Sequence, residues 1–420
     1  MKKTFVVSFL MLISLIASAQ KDTICIVQYN LLNYGDASRT TAYKNTRLST
    51  ILNAAKPDIL GVNELRRDST NAQKILDSVL GADWARGKYI NTRNEIQYNC
   101  LFWNKKKFGL RRQSSISSNL RDIIAYELYY LQAPSVVSDT VSFTVIVAHL
   151  KASNTPSDAS TRAVETQTVK NYLNNLGRGG NYMFMGDMNV YTSSEDCYQN
   201  LVANSNLNGR LYDPVNRPGN WSANSTFADV HTQSTRTSQL PDDGATGGLD
   251  DRFDQILVSG YIMGDSAGMK YLPGSYKAFG QDGQHYNKSI VAAPANSAVP
   301  QSVAQALYEM SDHLPVTARF VISSYQRPTA VAHVPAQPEA IKVVNPFYDR
   351  IILSLPEQWK GQPFSYTLVG TDGRVINSGN CNSGYQEEII PVHTIAPGIY
   401  FLQLRSSAGS TSFHRLLHVQ

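Results

Sequence analysis

The chain has 420 residues and a mass of 46.4 kDa, which argues against a single average domain and indicates two. Hydrophobic residues make up 42% of the sequence, ample for packed cores, and charged residues only 17%. The net charge of +5 slightly favours anionic partners but does not by itself establish nucleic-acid binding.

The N-terminus has the three parts of a secretory signal peptide. Lys2-Lys3 is the charged region, Phe5–Ile16 is apolar, and Ala17-Ser18-Ala19 is a small-residue cleavage site. The apolar run is too short to span a membrane comfortably, and the absence of a cysteine at the cleavage point argues against a lipid anchor. We therefore expect residues 1–19 to be a signal peptide, and the mature protein to be exported without a transmembrane segment.

Residues 20–322 alternate between strand and helix patterns. Apolar runs of strand length and amphipathic runs of helix spacing follow one another. We predict strands at Ile24–Val27, Ile59–Val62, Cys100–Trp103, Ile123–Leu131, Phe143–His149 and Tyr182–Met185, and helices at Leu48–Ala55, Ala72–Leu80 and from Asp158 or Ser160 to Gly177. This mixture of helix-linked and hairpin-linked strands indicates an α/β domain with mixed sheets.

Two stretches of this domain lack either pattern. Residues 204–248 are rich in Asn, Thr, Ser and Gly, and residues 271–299 are similarly irregular. We interpret both as long surface loops, which often shape a substrate site. The acidic pairs Asp242-Asp243 and Asp250-Asp251 lack the spacing of an EF-hand loop and are interpreted as surface.

Residues 323–340 contain three prolines among small residues, which is typical of a linker. Residues 341–420 then show strand patterns separated by turn residues, as in a small all-β sandwich. The four cysteines, at positions 25, 100, 197 and 381, lack the paired spacing of a zinc site, and the sequence does not assign a disulfide.

Polar side chains stand where several predicted strands of the first domain end. The set is Asn30, Glu64, His149, Asp187 with Asn189, Asp254, and Asp312 with His313. Strand ends at one edge of a sheet are where α/β proteins place their sites, so these side chains could converge. Each has a purely structural alternative, such as a cap or a turn. Carboxylate ligands favour Mg²⁺, Mn²⁺ or Ca²⁺ over zinc.

The motifs around these residues resemble those of the endonuclease/exonuclease/phosphatase superfamily, in the expected order. They are Tyr29-Asn30-Leu31, Val62-Asn63-Glu64, Ala148-His149-Leu150-Lys151, Gly186-Asp187-Met188-Asn189, Arg252-Phe253-Asp254-Gln255-Ile256-Leu257 and Ser311-Asp312-His313-Leu314-Pro315. The resemblance implies a four-layer α/β sandwich with two packed mixed sheets, followed here by the small β-sandwich. It also implies a metal-dependent phosphoesterase.

The same resemblance implies a role for each motif residue. Glu64, Asn30 and Asp312 would hold the metal. Asp187 would activate or orient the attacking water, and Asn189 would position it. His313, held by Asp254, would stabilise the phosphoryl oxygens, and His149 would contact the scissile phosphate or assist the leaving oxygen. A further family residue between the second and third motifs has Glu95 and Asn99 as candidates.

Three cationic features of the sequence are candidates for contact with an anionic substrate. Lys151 and Arg162 are candidate phosphate contacts, each with solvated surface charge as its alternative. The cations between Lys105 and Arg112 are better interpreted as the exposed face of a hairpin than as a nucleic-acid patch.

The C-terminal segment resembles the sorting domain of type IX secretion substrates. The resemblance is carried by Asn345-Pro346-Phe347, by residues 366–375 and by Pro397-Gly398-Ile399-Tyr400-Phe401. It implies handling by the type IX secretion machinery and a location outside the cell or on its surface. An accessory binding sandwich remains the alternative.

These features lead to a secreted, monomeric, Mg²⁺-dependent phosphodiester hydrolase, with Mn²⁺ or Ca²⁺ as other possible metals and nucleic acid, DNA or RNA, as the expected substrate. The first alternative is a phosphatase or sphingomyelinase-like lipid phosphodiesterase that uses the same side chains. The second is an inactive surface binding protein.

Overall fold

The computed structural model describes residues 21–116, 118–131, 140–323, 341–356, 359, 361–382, 387–392, 395–407 and 409–419. The chain divides into two compact units, residues 1–327 and 328–420. The predicted signal peptide lies outside the described residues, as does the predicted linker apart from Ser323.

The first unit contains two mixed β-sheets. Its strands are β1 (Lys21–Tyr34), β2 (Ile59–Arg66), β3 (Trp84–Arg86), β4 (Gln97–Asn104), β5 (Phe108–Ile116), β6 (Ile123–Tyr130), β7 (Ser142–His149), β8 (Asn181–Asp187), β9 (Leu211–Tyr212), β10 (Asp254–Ser259), β11 (Met269–Tyr271), β12 (Lys277–Ala278) and β13 (Val316–Ser323). One sheet has the order β11-β13-β1-β2-β4-β3, with β12 also paired to β13, and the other has the order β5-β6-β7-β8-β10-β9.

Successive side chains of a strand point to opposite faces of its sheet, so the core has three layers. One lies between the two sheets, and one lies between each sheet and the helices that cover it. In β1, Ile24 and Ile26 face the second sheet, whereas Val27 and Tyr29 pack toward helices. In β8, Met183 packs between the sheets. Both faces of each sheet are therefore covered, which explains why the central strands are apolar throughout.

Helices cover the outer faces of the two sheets. They are α1 (Thr41–Ala55), α2 (Asn71–Ile75), α3 (Pro156–Asn175), α4 (Asp196–Val202), α5 (Gly260–Gly264) and α6 (Gln301–Met310). Side chains of α1 and α6 join the core on the first sheet, and those of α3 and α4 join the core on the second. The unit is a four-layer α/β sandwich, as predicted.

Helix boundaries follow local capping. Helix α3 begins at Pro156, earlier than predicted, because Thr155 and Asp158 form a reciprocal capping box. Helix α1 ends at Ala55, and Lys56 is left-handed. The predicted helix at Ala72–Leu80 is α2 followed by a π-helical turn over Leu76–Leu80.

The two irregular stretches contain far more buried structure than their polar composition suggests. Thr232, Thr235, Arg236 and Asp242 are almost completely buried, as is His285 in the second stretch. Interpretation of these stretches as surface loops was therefore wrong for their central parts. Their polar side chains are satisfied by backbone groups and by ion pairs within the fold.

The second unit is built only of strands. They are β14 (Lys342–Val343), β15 (Arg350–Ser354), β16 (Pro363–Gly370), β17 (Val375–Asn382), β18 (Glu387–Pro391), β19 (Gly398–Ser406) and β20 (Thr411–His418). They form a three-stranded sheet, β14-β15-β18, and a four-stranded sheet, β17-β16-β19-β20. Both sheets contribute apolar residues to one core, so this part is the predicted small all-β unit.

Candidate functional site

Three neighbouring strands of the second sheet end at the same level. In the pairing register, His149 on β7 lies opposite Asp187 on β8, and Asp187 lies opposite Asp254 on β10. In the first sheet, Asn30 on β1 lies opposite Asn63 on β2, one residue before Glu64. The prediction that Asn30 and Glu64 end their strands is wrong, because β1 continues to Tyr34 and β2 to Arg66. The pairing register still brings these residues, distant in sequence, to one edge of the sandwich.

Asn30 links the two sheets at the centre of this group. Its Nδ2 atom donates to Glu64 Oε1 and to Asp187 Oδ2, both at 3.0 Å. The side chain is completely buried. Its Oδ1 atom accepts from the backbone N–H of Leu32 at 3.0 Å, which fixes the orientation of the amide.

Glu64 is held in place through its second oxygen. Oε2 accepts from the backbone N–H of Asn33 at 3.1 Å and from Gln97 Nε2 at 2.8 Å. The backbone of Glu64 is left-handed, with φ of 61°, at the point where the pairing of β2 becomes irregular. Sequence analysis did not identify Gln97, and its position on β4 carries no recognisable local signal.

His149 adds a nitrogen to the two carboxylates. Its Nε2 atom lies 3.5 Å from Asp187 Oδ2 and 4.0 Å from Glu64 Oε1. Among the described residues, Glu64, His149 and Asp187 form a group whose ligand atoms all lie within 4.8 Å of one another, close enough to share one cation. Burial lowers the pKa of His149 well below its usual value, and Arg121 and His313 lower it further, so the imidazole is neutral.

Asp187 is almost completely buried, and this burial disfavours its charged form. Burial raises its pKa to about 7; His313 opposes this, while Asp254 and Glu64 add to it. Its Oδ1 atom accepts from the backbone N–H of Asn189 at 3.0 Å. Asn189 in turn donates from its side chain to the carbonyl of Leu150 at 3.2 Å, so the predicted pair does sit together.

His313 and Asp254 form a short buried ion pair. His313 Nδ1 lies 2.6 Å from Asp254 Oδ2, and its Nε2 atom faces Asp187 Oδ2 at 3.7 Å. Burial alone would lower the pKa of His313, but Asp254, Asp312 and Asp187 together raise it well above its usual value. The imidazole is therefore a cation whose outer nitrogen points into the group of acidic side chains.

Asp312 occupies the margin of this group. Its Oδ2 atom accepts from the backbone N–H of Ala245 at 2.7 Å and lies 3.2 Å from Gln233 Nε2. Gln233 Nε2 also lies 2.6 Å from His313 Nε2. Two N–H groups cannot hydrogen-bond to each other, so with His313 protonated this amide presents its oxygen to the imidazole. Gln233 comes from a stretch interpreted as surface loop, and only the folding of residues 232–248 against the site brings it there.

The buried amide of Asn63 holds the backbone of the site in place. Asn63 Oδ1 accepts from the backbone N–H of Asp187 at 3.0 Å, and its Nδ2 donates to Asn99 Oδ1 at 2.7 Å and to the carbonyl of Ala148 at 3.0 Å. Asn99, one of the two candidates for an additional residue, therefore contacts the site through Asn63. The side chain of Glu95, the other candidate, is half-buried in the preceding loop.

The two predicted phosphate contacts lie outside the group. Lys151 pairs with Asp158 at 2.9 Å. Arg162 is fully buried; it pairs with Glu195 at 2.7 Å and donates to the carbonyls of Lys151 and Ser153. Arg162 is therefore not a solvated surface charge. It holds the loop after β7, because its Nε and Nη2 atoms donate to Glu195 and its Nη1 atom donates to the two loop carbonyls.

The basic hairpin is also engaged in ion pairs. Lys106 pairs with Asp83, Lys107 with Asp22 and Asp58, and Arg111 with Glu127. Its interpretation as an exposed hairpin face, and not as a nucleic-acid patch, agrees with these pairs.

Comparison with known families identifies the first unit. The profile of the Endonuclease/Exonuclease/phosphatase family matches residues 27–313, which contain every strand-end residue described above. The chain belongs to this family. Its members are hydrolases that act on phosphoester bonds. A family profile described as a secretion system C-terminal sorting domain matches residues 345–418, as the resemblance to type IX substrates implied, and indicates export of the chain.

Several solved structures have a similar arrangement. TDP2 from Caenorhabditis elegans is 16% identical, with 71% of this chain and 75% of that chain covered and a TM-score of 0.44. A family protein from Bacteroides thetaiotaomicron is 15% identical, with 72% and 99% covered and a TM-score of 0.44. The human nocturnin catalytic domain is 16% identical, with 71% and 97% covered and a TM-score of 0.42. No curated protein matches the chain significantly by sequence.

None of the described helices has the length and apolar character needed to cross a bilayer.

Proposed function

We propose that this protein is an exported, divalent-metal-dependent phosphodiester hydrolase that acts on nucleic acid. The observation that carries the proposal is the group formed by Glu64, His149 and Asp187, whose ligand atoms lie within 4.8 Å of one another. Hydrolysis of a phosphodiester requires that negative charge be neutralised and that a water molecule be aimed in line with the leaving oxygen. This group, together with the cationic His313, has the chemistry for both requirements.

The residues fit a divalent cation. Two carboxylates, Glu64 and Asp187, share one amide donor from Asn30, and burial of Asp187 leaves negative charge that a cation would compensate. Because the oxygen ligands are hard, Mg²⁺, Mn²⁺ or Ca²⁺ suits the site better than a softer metal. Glu64 would hold the ion, with Asp312 at its margin. Asn30 would orient the carboxylates and not bind the ion, because its amide N–H group faces Glu64 and Asp187 while its oxygen accepts from Leu32. The bound ion would supply Lewis-acid stabilisation of a phosphoryl oxygen.

The remaining side chains have roles that follow from their contacts. Asp187 is suited to accept a proton from the attacking water, and Asn189 keeps that carboxylate oriented through its backbone N–H. His313, charged and held by Asp254, would donate from Nε2 to a phosphoryl oxygen. Neutral His149 can then contact the scissile phosphate or the leaving oxygen.

The test uses the mature full-length chain and a panel of phosphoesters. Plasmid DNA, RNA, sphingomyelin vesicles and a phosphomonoester are incubated with and without EDTA, and Mg²⁺, Mn²⁺ or Ca²⁺ is then restored. We expect hydrolysis of DNA or RNA that EDTA abolishes and a divalent cation restores. Turnover that resists EDTA would contradict the metal assignment, and hydrolysis confined to sphingomyelin or the monoester would contradict the nuclease assignment.

A matched pair of variants separates the site from general stability. Glu64→Gln removes one negative charge from the metal group, whereas Glu95→Gln makes the same change in the loop before β4. Binding of a cation to the folded state raises the melting temperature. We expect Glu64→Gln to abolish both turnover and the metal-dependent rise in melting temperature, and Glu95→Gln to retain both.

A further inference from the structure

An open cleft of about 510 Å³ lies beyond the ends of the strands that carry the catalytic side chains. This volume is in the range of small-molecule sites. Its walls come from three segments: the loop between His149 and α3, the segment that follows Asn189, and the residues 220–223. Six polar or aromatic residues of its lining matter here: Asn154, Thr155, Tyr191, Thr192, Asn220 and Ser222.

The cleft is directly continuous in sequence with the candidate site. Strands β7 and β8 are neighbours in the second sheet, and the lining of the cleft begins at Asn154 in the loop after His149 and at Tyr191 in the segment after Asn189. The third wall is tied to the residues before Asp254, because the backbone N–H of Ala223 donates to the carbonyl of Asp250 at 2.9 Å. The segments that carry His149, Asn189 and Asp254 therefore also build or brace the walls of this cleft.

The walls are held rigidly by backbone hydrogen bonds. The carbonyl of Tyr191 accepts from the N–H groups of Trp221 at 2.9 Å and Ser222 at 3.2 Å. The N–H of Tyr191 donates to Glu195 Oε1 at 2.8 Å. The Tyr191 ring packs edge-on against Phe253, with centroids 5.0 Å apart. The aromatic wall is therefore fixed before any ligand arrives, which lowers the entropic cost of binding.

The charge of the lining restricts its ligand. Glu195 is the one charged residue of the lining, and its carboxylate already accepts from Arg162 and from the N–H of Tyr191. Arg162, whose Cζ lies 5.5 Å from the centroid of the Tyr191 ring, is paired with Glu195, and Lys151, in the loop after β7, is paired with Asp158. A polyanionic strand would need unpaired cations, and acyl chains would need apolar walls. The lining instead offers amide and hydroxyl groups beside an aromatic ring.

We propose that this cleft binds one nucleoside of the substrate, next to the scissile phosphate. The inference rests on the proposed function, and it specifies what that site recognises. The sugar hydroxyls and base edge would meet Asn154, Asn220 and Ser222, and the base would pack on Tyr191. Contact between a base and an aromatic side chain contributes on the order of tenfold or more to binding.

The test compares three chromogenic phosphodiesters with the same leaving group, in the presence of Mg²⁺ or Mn²⁺. They are methyl 4-nitrophenyl phosphate and the 4-nitrophenyl phosphate esters of thymidine at its 5′ and its 3′ oxygen. We expect kcat/KM for at least one thymidine ester to exceed that of the methyl ester by about tenfold or more. Equal values for all three would overturn the cleft inference and leave the phosphodiesterase intact, whereas failure to hydrolyse any of them would overturn both.

Two substitutions on α3 test whether the cleft causes the preference for thymidine esters. Ala159→Tyr fills the cleft from its helical wall, and Ser160→Tyr places the same side chain on the next, exposed position outside the lining. We expect Ala159→Tyr to remove the preference for thymidine while the methyl ester is hydrolysed at the wild-type rate, and Ser160→Tyr to keep the preference. An equal fall for all three esters would overturn the inference. If Ala159→Tyr does not fold, Asn220→Ala, at an exposed position, must reduce the preference for the inference to stand.

Discussion

A buried cluster of charges beneath the site gives the sharpest stability prediction. Asp242 Oδ2 lies 3.2 Å from Lys44 Nζ, and its Oδ1 lies 3.0 Å from Arg236 Nη1. All three side chains are at most 1% exposed. Lys44 also donates to the carbonyls of Leu31, Leu32 and Met310, so the cluster joins the segments that carry Asn30 and Asp312. Replacing Asp242 by Asn removes the negative charge at nearly constant volume.

The expected loss follows from these distances. At an effective dielectric constant near 20, each cation loses about 5 kcal/mol of attraction before reorganisation. Lys44 can limit its share, because burial lowers its pKa to about 8 and loss of a proton at pH 7 costs about 1.4 kcal/mol. Arg236 cannot lose its proton. The net loss should therefore be about 3–5 kcal/mol, as for other buried pairs deprived of one partner.

The assay is thermal and urea unfolding of the full-length protein, with Asp243→Asn as the control. Asp243 is the exposed neighbour, and its left-handed backbone suits Asn equally well. A loss of about 3–5 kcal/mol lowers the melting temperature of the first unit by about 5–10 °C. The penalty should be about 2–3 kcal/mol smaller at pH 9 than at pH 6, because Lys44 is charged in the wild-type protein at pH 6 and largely neutral in both proteins at pH 9. A penalty equal to that of Asp243→Asn, or independent of pH, would refute the reasoning.

Three further predictions concern single residues. Asp187→Ala should lower kcat on DNA or RNA by about 10²–10⁴-fold, the scale of a lost acid–base group, and near-normal hydrolysis would exclude it from the mechanism. Arg162→Met should lower the melting temperature because it leaves Glu195 unpaired; a change confined to KM would instead indicate a phosphate contact. His285→Gln should cost about 1.5–3 kcal/mol below pH 6.5 and less at higher pH. Burial lowers the pKa of His285, but Asp282 and two carbonyls raise it above its usual value. The stability that protonated His285 contributes is therefore lost as pH rises through that raised pKa. A loss of stability in His285→Gln that grows with pH would contradict this.

Much of the fold could be predicted because strand and helix patterns are local. Ile24–Val27 and Tyr182–Met185 are apolar runs of strand length, and both are strands at the predicted positions. The predicted runs also stop at Asn30 and just before Asp187, so both residues could be predicted to lie near one edge of the sandwich. Helix α3 begins at Pro156 and not at Asp158 or Ser160 as predicted, because Pro156 occupies the first helical position and Thr155 forms a capping box with Asp158.

The irregular stretches could not be predicted in the same way. Residues 232–248 are polar, and polar composition indicates exposure unless a partner is known. Gln233 contacts His313, and Arg236 donates to the carbonyl of Tyr308 as well as pairing with Asp242; His313 and Tyr308 are each more than 70 residues away from these partners. No local pattern encodes such a pairing, so the burial of Asp242 and the contact of Gln233 with His313 were not accessible from sequence.

The sequence by itself determined the family, the order of the strand-end residues and the composition of the two units, since these depend on residue type and spacing along the chain. The tertiary structure decided which of the polar residues meet. It placed Asp187 between Asn30 and His149, buried Arg162 under Glu195, and opened a cleft beside Tyr191. The physical reason is that burial and pairing depend on what the whole fold packs against a side chain, which spacing along the chain does not specify.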